Sequence, residues 1–172
     1  IKNYLAENFE LSETGTVVAK PVASVNGTNY MSFEAAIEAA LAGQTITLLS
    51  DVTLSDKLVL PAKVTLDGNG KLIDGEVWAE GDLTFAGYTK VKTFNAGYNK
   101  PVITIGEGAC LELTGTGRMV IGHGATFNIT GSIADKAAKT TDKATLTPSL
   151  VMPGASFTGA GVTFNVTNAY IK

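Results

Sequence analysis

The acidic side chains crowd into one stretch of the chain. Asp67 and Asp74 flank the turn Gly68-Asn69-Gly70, and Glu76, Glu80 and Asp82 follow. Two carboxylates at a defined separation are what a glycoside hydrolase requires. A polysaccharide lyase needs instead a base beside a uronate carboxyl and a cation, calcium in many cases, to neutralise that carboxyl. The cationic residues are twelve lysines and a single arginine, Arg118, which lies five positions before the only histidine, His123. Asp67, Asp74, Arg118 and His123 are therefore the candidate set for an enzyme. Each also has a plain structural reading, and the weight falls there. Asp and Asn before Gly bond their own backbone in turns, His123 stands between Gly122 and Gly124, and Arg118 reads as a solvated strand residue. No catalytic residue is assigned on this pattern.

Trp78, Tyr88 and Tyr98 recur at intervals of ten, in a stretch that reads as richer in loops than the rest. Aromatic rings offer broad apolar area at little entropy cost, so these three are the candidate glycan contacts. The competing reading puts Trp78 in the core beside Phe85, with the tyrosines at corners. Oxygen ligands for calcium exist in the Asp67-Gly68-Asn69-Gly70 and Asp74-Gly75 turns, but the EF-hand spacing with its closing Glu is missing. No metal and no cofactor are expected. The one cysteine, Cys110, reads as a small buried hydrophobe. Gly159-Ala160-Gly161 lacks the following Lys and Ser/Thr of a phosphate loop. Thr47, Thr53, Thr65, Thr84, Thr104 and Thr163 sit at strand centres, but only Thr45-Ile46-Thr47 repeats as a water-ordering array would, so β propensity accounts for them. The sequons at Asn26, Asn128 and Asn165 matter only in a eukaryotic secretory host, and Asn26 has a turn to make.

These residues must be held by elements the composition already bounds. The chain has 172 residues, 45% hydrophobic and 17% charged, below the charged share of about 25% usual in globular proteins. Such a chain folds rather than staying disordered. A net charge of −3 and a pI near 5.1 argue against nucleic acid as a partner. One cysteine excludes a disulfide framework within the chain. No apolar run approaches the roughly 18 residues of a membrane span. The first residue, Ile1, reads as the start of an excised piece of a longer chain.

Val22–Val25 and Thr28–Met31 read as strands around Asn26-Gly27, a type I′ hairpin turn. Ser32 is placed to cap a helix whose apolar residues Phe33, Ala36, Ile37, Ala40 and Leu41 recur at three and four, with Gly43 closing it. Residues 1–21 form a lead-in, and 22–172 a cap followed by coils. After Gly43 the pattern becomes short strands with an apolar-polar-apolar beat, which sends outer and middle side chains to opposite faces. They begin at Thr45, Val52, Leu58, Val64, Leu83, Val102, Leu111, Met119, Phe127 and Val162. Ile46 to Val64 is 18 residues, Val64 to Leu83 is 19, and Leu83 to Val102 is 19. Short strands at that period without helices between them predict a solenoid whose stacked coils share one core. A β-sandwich is the competing architecture, but connectors as short as Gly106-Glu107-Gly108 favour the coil. The polar stretch 134–143 reads as a surface loop or short exposed helix.

The stretch from Val22 to Leu54 resembles a unit of bacterial secreted and surface proteins in which a hairpin and a helix introduce a pectate-lyase-like, right-handed parallel β-helix. The resemblance rests on Asn26-Gly27, Tyr30, Phe33-Glu34-Ala35-Ala36-Ile37, Gly43 and Thr45 to Val52, with Val64-Thr65-Leu66-Asp67-Gly68-Asn69-Gly70 similar to an early coil. It covers about a fifth of the chain. It implies that fold, an extracellular or cell-surface setting of the kind found in Bacteroides-type gut bacteria, and residues 1–21 as the tail of a preceding module. The expected partner is a glycan or a host or bacterial surface ligand. Two functions follow as expectations: a non-catalytic module for adhesion, glycan contact or spacing, and, as the alternative, a carbohydrate-active enzyme of the pectate-lyase-like class.

Overall fold

The computed structural model describes residues 5, 9–122, 124–130, 150–151, 156–158, 161–167, 169 and 171. A short antiparallel hairpin opens it, β1 (Phe9–Leu11) on β2 (Val17–Ala19). Next come β3 (Ala23–Val25) and β4 (Thr28–Tyr30), joined through Asn26 at φ 45° and Gly27 at φ 86°. Both central residues are left-handed, as a type I′ turn demands. Helix α1 (Phe33–Ala39) follows; the Ser32 hydroxyl accepts the Ala35 N–H at 3.1 Å, and Phe33, Ala36 and Ile37 are buried. The helix ends at Ala40, one turn short of the apolar pattern. Leu41, expected on its inner face, lies past the end and is exposed.

The rest is a right-handed parallel β-helix of about four turns. Its strands are β5 (Thr45–Leu48), β6 (Val52–Thr53), β7 (Leu58–Leu60), β8 (Val64–Asp67), β9 (Leu72–Ala79), β10 (Leu83–Ala86) and β11 (Tyr88–Ala96). They continue as β12 (Val102–Ile105), β13 (Cys110–Ile121), β14 (Thr126–Thr130), β15 (Leu150–Val151), β16 (Ser156–Thr158) and β17 (Thr163–Thr167). The first sheet stacks β17, β14, β12, β10, β8 and β5 in parallel and ends on the antiparallel β3 and β4. The second stacks β15, β13, β11, β9 and β6, with β7 also on β9 and β16 also on β13.

Register gives the coil lengths. Thr45 lies opposite Thr65, a step of 20, Val64 opposite Leu83, 19, and Leu83 opposite Ile103, 20. The next steps are longer: 24 from Val102 to Thr126 and 37 from Thr126 to Thr163. Leu111 and Met119, which the sequence reads as separate strands, belong to the single long β13. The extra residues enter as an irregularity in its pairing with β11 between Val91 and Thr93. The stretch 134–143 falls in the 37-residue step, outside the described residues.

Each sheet sends every second side chain inward. The first contributes Ile46, Leu66, Phe85, Ile105 and Ile129 in one column and Val64, Leu83, Ile103 and Phe127 in another. The second contributes Val52, Ile73, Val91 and Leu113, and then Leu58, Val77, Phe94 and Met119. Phe85 and Phe94 meet edge to face across the core, ring centroids 5.3 Å apart. Full burial of one such side chain contributes about 1.5–3 kcal/mol. A single coil has no partner for its own columns, so stability comes from stacking.

Turns bring backbones into contact at the corners. At Gly68 a Cβ would lie 2.3 Å from the Thr89 Cα. The bare backbone there lets its N–H reach the buried Thr89 hydroxyl at 2.9 Å. Amide and carboxylate oxygens on short side chains also cap strand starts. Asn26 Oδ1 accepts from Thr45 N, Asp51 Oδ1 from Leu72 N and Asp82 Oδ1 from Val102 N.

Candidate functional site

The carboxylates of the dense acidic stretch are each engaged, and in different places. Asp67 ends β8 on the first sheet, where its Oδ1 accepts the Asn69 N–H at 2.9 Å, the turn role expected of it. Asp74 is on β9 of the second sheet and pairs with Lys92 at 2.8 Å, both exposed. Glu80 accepts from Asn99 at 3.3 Å, and Asp82 caps Val102. Arg118 is exposed on β13, two strands from β9 and opposite Thr93. His123 lies outside the described residues. The structure thus puts Asp67 on one sheet and Asp74 and Arg118 on the other, with the 68–71 turn between the two aspartates. Among the described residues no three His, Cys, Asp or Glu side chains gather closely enough to hold a metal ion. Cys110 is buried at the start of β13, and burial pushes its thiol up from 9.0 to about 11.

The aromatic candidates separate as well. Trp78 and Tyr88 stand on strands β9 and β11, not in loops, and only Tyr98 is on a turn. Trp78 is not in the core with Phe85. It faces outward and half-buried from the second sheet, directly opposite the side chain of Asn95. Tyr88 begins β11, seven residues from Asn95, so about 20 Å along the strand separates it from Trp78. Its hydroxyl bonds Glu112, and Lys90 sits 5.4 Å over its ring. Tyr98 is 72% exposed at the corner after β11, on Trp78's end of the sheet.

Around Trp78 the outward columns form a compact group. The indole Nε1–H donates to Glu76 Oε1 at 2.6 Å, and Asn95 Nδ2 donates to the same oxygen at 2.5 Å. Lys57 places its Nζ 5.0 Å over the indole ring, an exposed cation–π contact worth about 0.5–1 kcal/mol. Val59, exposed, stands opposite Trp78 on the coil below, and Val120 opposite Asn95 on the coil above. Thr93 and Arg118 continue the column of Glu76. The group is an anchored aromatic side chain beside a carboxylate on the outer face of the second sheet.

Asn95 is the unusual member. It is 3% exposed although it stands opposite Trp78 in an outward column. Its amide orientation follows from its partner, since a carboxylate only accepts and the NH₂ must face Glu76. The other end, Oδ1, is buried without a donor among the described residues. A buried acceptor left unpaired costs about 1–3 kcal/mol, which marks a local imperfection in an otherwise well-paired sheet.

Lys57, Glu76, Thr93 and Asn95 were not singled out as a group by residue type. Coil arithmetic carries a signal: Val59 and Trp78 are 19 positions apart and opposite each other, Trp78 and Asn95 17 apart and opposite, and Glu76 sits diagonally from Asn95. The outer face of the first sheet is different. Thr45, Thr65, Thr84 and Thr104 stack in one column, continued by Asn128 and Asn165, whose amides bond at 2.9 Å. Beside it lies a shallow depression of about 280 Å³ lined by Lys63, Asp82, Leu83, Thr84, Val102 and Thr104. Neighbouring columns hold Lys63, Asp82 and Val102 on one side and Thr47, Asp67 and Ala86 on the other, so the threonines form one row and not a two-row array.

Comparison with known protein families, characterised proteins and solved structures returns no significant match to this chain.

Proposed function

We propose that the chain is a non-catalytic β-helix module of a secreted or cell-surface bacterial protein, and that it contacts glycan through the Trp78 face of its second sheet. The observation that carries this reading is the fixing of Trp78. Its indole is held by Glu76 on the outward face of the second sheet, with Asn95 and Val59 beside it and the Lys57 ammonium over its ring. A rigid, half-exposed ring is what a pyranose stacks on, because little side-chain freedom is lost on binding. The resemblance of residues 22–54 to hairpin-and-helix units of surface proteins supports the setting. The engagement of Asp67, Asp74, Glu80 and Asp82 in turns, caps and an ion pair supports a non-catalytic role.

The test is a panel of host, bacterial and plant glycans read for both binding and cleavage. Saturable binding without cleavage, weakened at least tenfold by Trp78→Ala, is expected. Cleavage of a panel member that disappears on Asp67→Ala or Asp74→Ala overturns the reading in favour of a polysaccharide lyase or glycoside hydrolase.

A further inference from the structure

Two Asn-Gly pairs stand in the chain, Asn26-Gly27 and Asn69-Gly70, and as sequence they are chemically equal. Both carry the same latent reaction. The main-chain nitrogen that follows an asparagine attacks the side-chain carbonyl carbon, and glycine at that place hinders the approach least. The Gly N–H proton goes to hydroxide and the N–Cγ bond forms. The Cγ–Nδ2 bond then breaks, ammonia leaves, and a succinimide ring remains. Water opens the ring at either carbonyl and leaves aspartate or isoaspartate, with no change of oxidation state. We infer that Asn26 is a site of this spontaneous modification and that Asn69 is protected from it.

At Asn69 the reacting groups are held. Gly70 N–H donates to Tyr88 O at 2.7 Å, so its proton is shared with a carbonyl and hydroxide removes it less easily. Asn69 Nδ2 donates to Leu48 O at 3.1 Å, and Asn69 N–H to Asp67 Oδ1 at 2.9 Å. At Asn26 the same groups are open. Neither Gly27 N–H nor Asn26 Nδ2 has a hydrogen-bond partner among the described residues, and both residues are exposed. The bonds that Asn26 does make spare the reacting nitrogens: its N–H donates to Thr45 O at 3.1 Å, and its Oδ1 accepts Thr45 N–H at 3.2 Å. The second of these meets the negative charge that develops on Oδ1 during attack. Both turns are left-handed at both residues, φ 45° and 86° at Asn26 and Gly27, 47° and 74° at Asn69 and Gly70. That conformation holds the glycine nitrogen away from the asparagine side chain, so each turn must open before the bond forms. Opening costs little at Asn26, because β4 is a three-residue strand at the edge of its sheet. The Asn69 turn joins β8 to β9, and each of these has strands paired on both sides. Isoaspartate at position 26 would lengthen the main chain of a two-residue turn and cost β3 and β4 their register.

The test needs no variant. The folded protein is kept in warm, mildly alkaline buffer, sampled at intervals and digested, and the peptides holding Asn26 and Asn69 are followed by mass spectrometry. The Asn26 peptide should gain the mass that exchange of NH₂ for OH brings at least tenfold faster than the Asn69 peptide, with isoaspartate the main product. The same incubation in urea, where neither turn is formed, should bring the two rates within threefold of each other. A ratio below tenfold in the folded protein, faster conversion at Asn69, or no conversion at Asn26 while the unfolded chain converts, each overturns the inference. So does a ratio above threefold in urea, because local sequence and not the fold would then set the difference.

Discussion

The two sheets share one core and diverge on their outer faces. The first turns outward a row of threonines continued by asparagines, with side chains short enough to lie flat and no aromatic among them. The second turns outward Trp78, Tyr88, Glu76, Glu112 and Asn95, together with Lys90, Lys92 and Arg118. Inward they follow the same rule, with alternate aliphatic and aromatic residues stacked coil on coil. The inner face is dictated by stacking, since a residue there must match the coil above and below. The outer face carries no such demand, so its residue types are free to serve a ligand. On the proposed function, recognition chemistry belongs to the face of the second sheet.

The shared core is the part of that comparison with the largest consequence. Phe85 from the first sheet and Phe94 from the second are both fully buried and in contact. Phe85→Ala and Phe94→Ala should each cost about 3–5 kcal/mol in urea unfolding, and nearly the same amount. A much smaller loss for one of them would mean that the sheets do not melt as a single unit.

The second sheet buries an ionisable group, Cys110, at the start of β13. Its thiol is raised by burial to about 11 from 9.0. The unfolded chain therefore ionises first as pH rises, so the stability linked to this group is intact below about pH 9 and is lost between pH 9 and 11. Lysines and tyrosines titrate in the same range, so the measurement is a difference. Cys110→Ala should flatten the alkaline fall in stability by on the order of 2 kcal/mol. An equal fall in both proteins would show the thiol to be better solvated than its burial implies.

The outer faces are compared by binding. Trp78→Ala on the second sheet should weaken glycan binding at least tenfold, about 1.4 kcal/mol, while Thr84→Ala on the first leaves it unchanged. Lys57→Ala should strengthen binding a few fold, because it frees the indole face of a contact worth about 0.5–1 kcal/mol. Loss of binding with Thr84→Ala would move the site to the depression beside the threonine row.

The same division decides what could be read from the residues alone. Thr45 to Leu48, Val64 to Asp67, Leu83 to Ala86 and Val102 to Ile105 show the apolar-polar-apolar beat at steps of 19 or 20, and all four are strands of the first sheet. The coil follows from them, and the cap from Asn26-Gly27 and Ser32. The long strands of the second sheet were not legible in the same way. Leu72–Ala79 is interrupted by Gly75 and holds Asp74 and Glu76, while Tyr88–Ala96 holds two lysines and an irregularity in pairing. Outward charges and a glycine look like a loop when no register is known. Residue type therefore picks out Trp78, while the surrounding pattern reads as loop where the structure has β9. Asn95 carries no signal in its type; only the register, which seats it opposite Trp78 and diagonal to Glu76, brings it into the group.

The smallest effect separates two aspartates that look alike in the sequence. Asp82 lies at a corner beside the first sheet, and its Oδ1 accepts the Val102 N–H at 2.9 Å, one of the bonds that start the next coil. Asp74 is on the outer face of the second sheet and meets Lys92 in an ion pair open to water on both sides. A side-chain bond to an otherwise unpaired strand-start amide contributes about 1 kcal/mol, whereas an exposed ion pair is screened and contributes between 0 and about 1. Asp82→Ala should therefore lower stability by about 1 kcal/mol in low and high salt alike. Asp74→Ala should cost no more than about 0.5 kcal/mol, and nothing measurable at 1 M salt, where the screening length falls to about 3 Å. The salt dependence decides the matter even if the two losses are similar, because a hydrogen bond to a backbone N–H survives screening and a surface ion pair does not. If both losses vanish in salt, the Asp82 cap acts only through its charge and corner geometry contributes nothing to holding the coils in register.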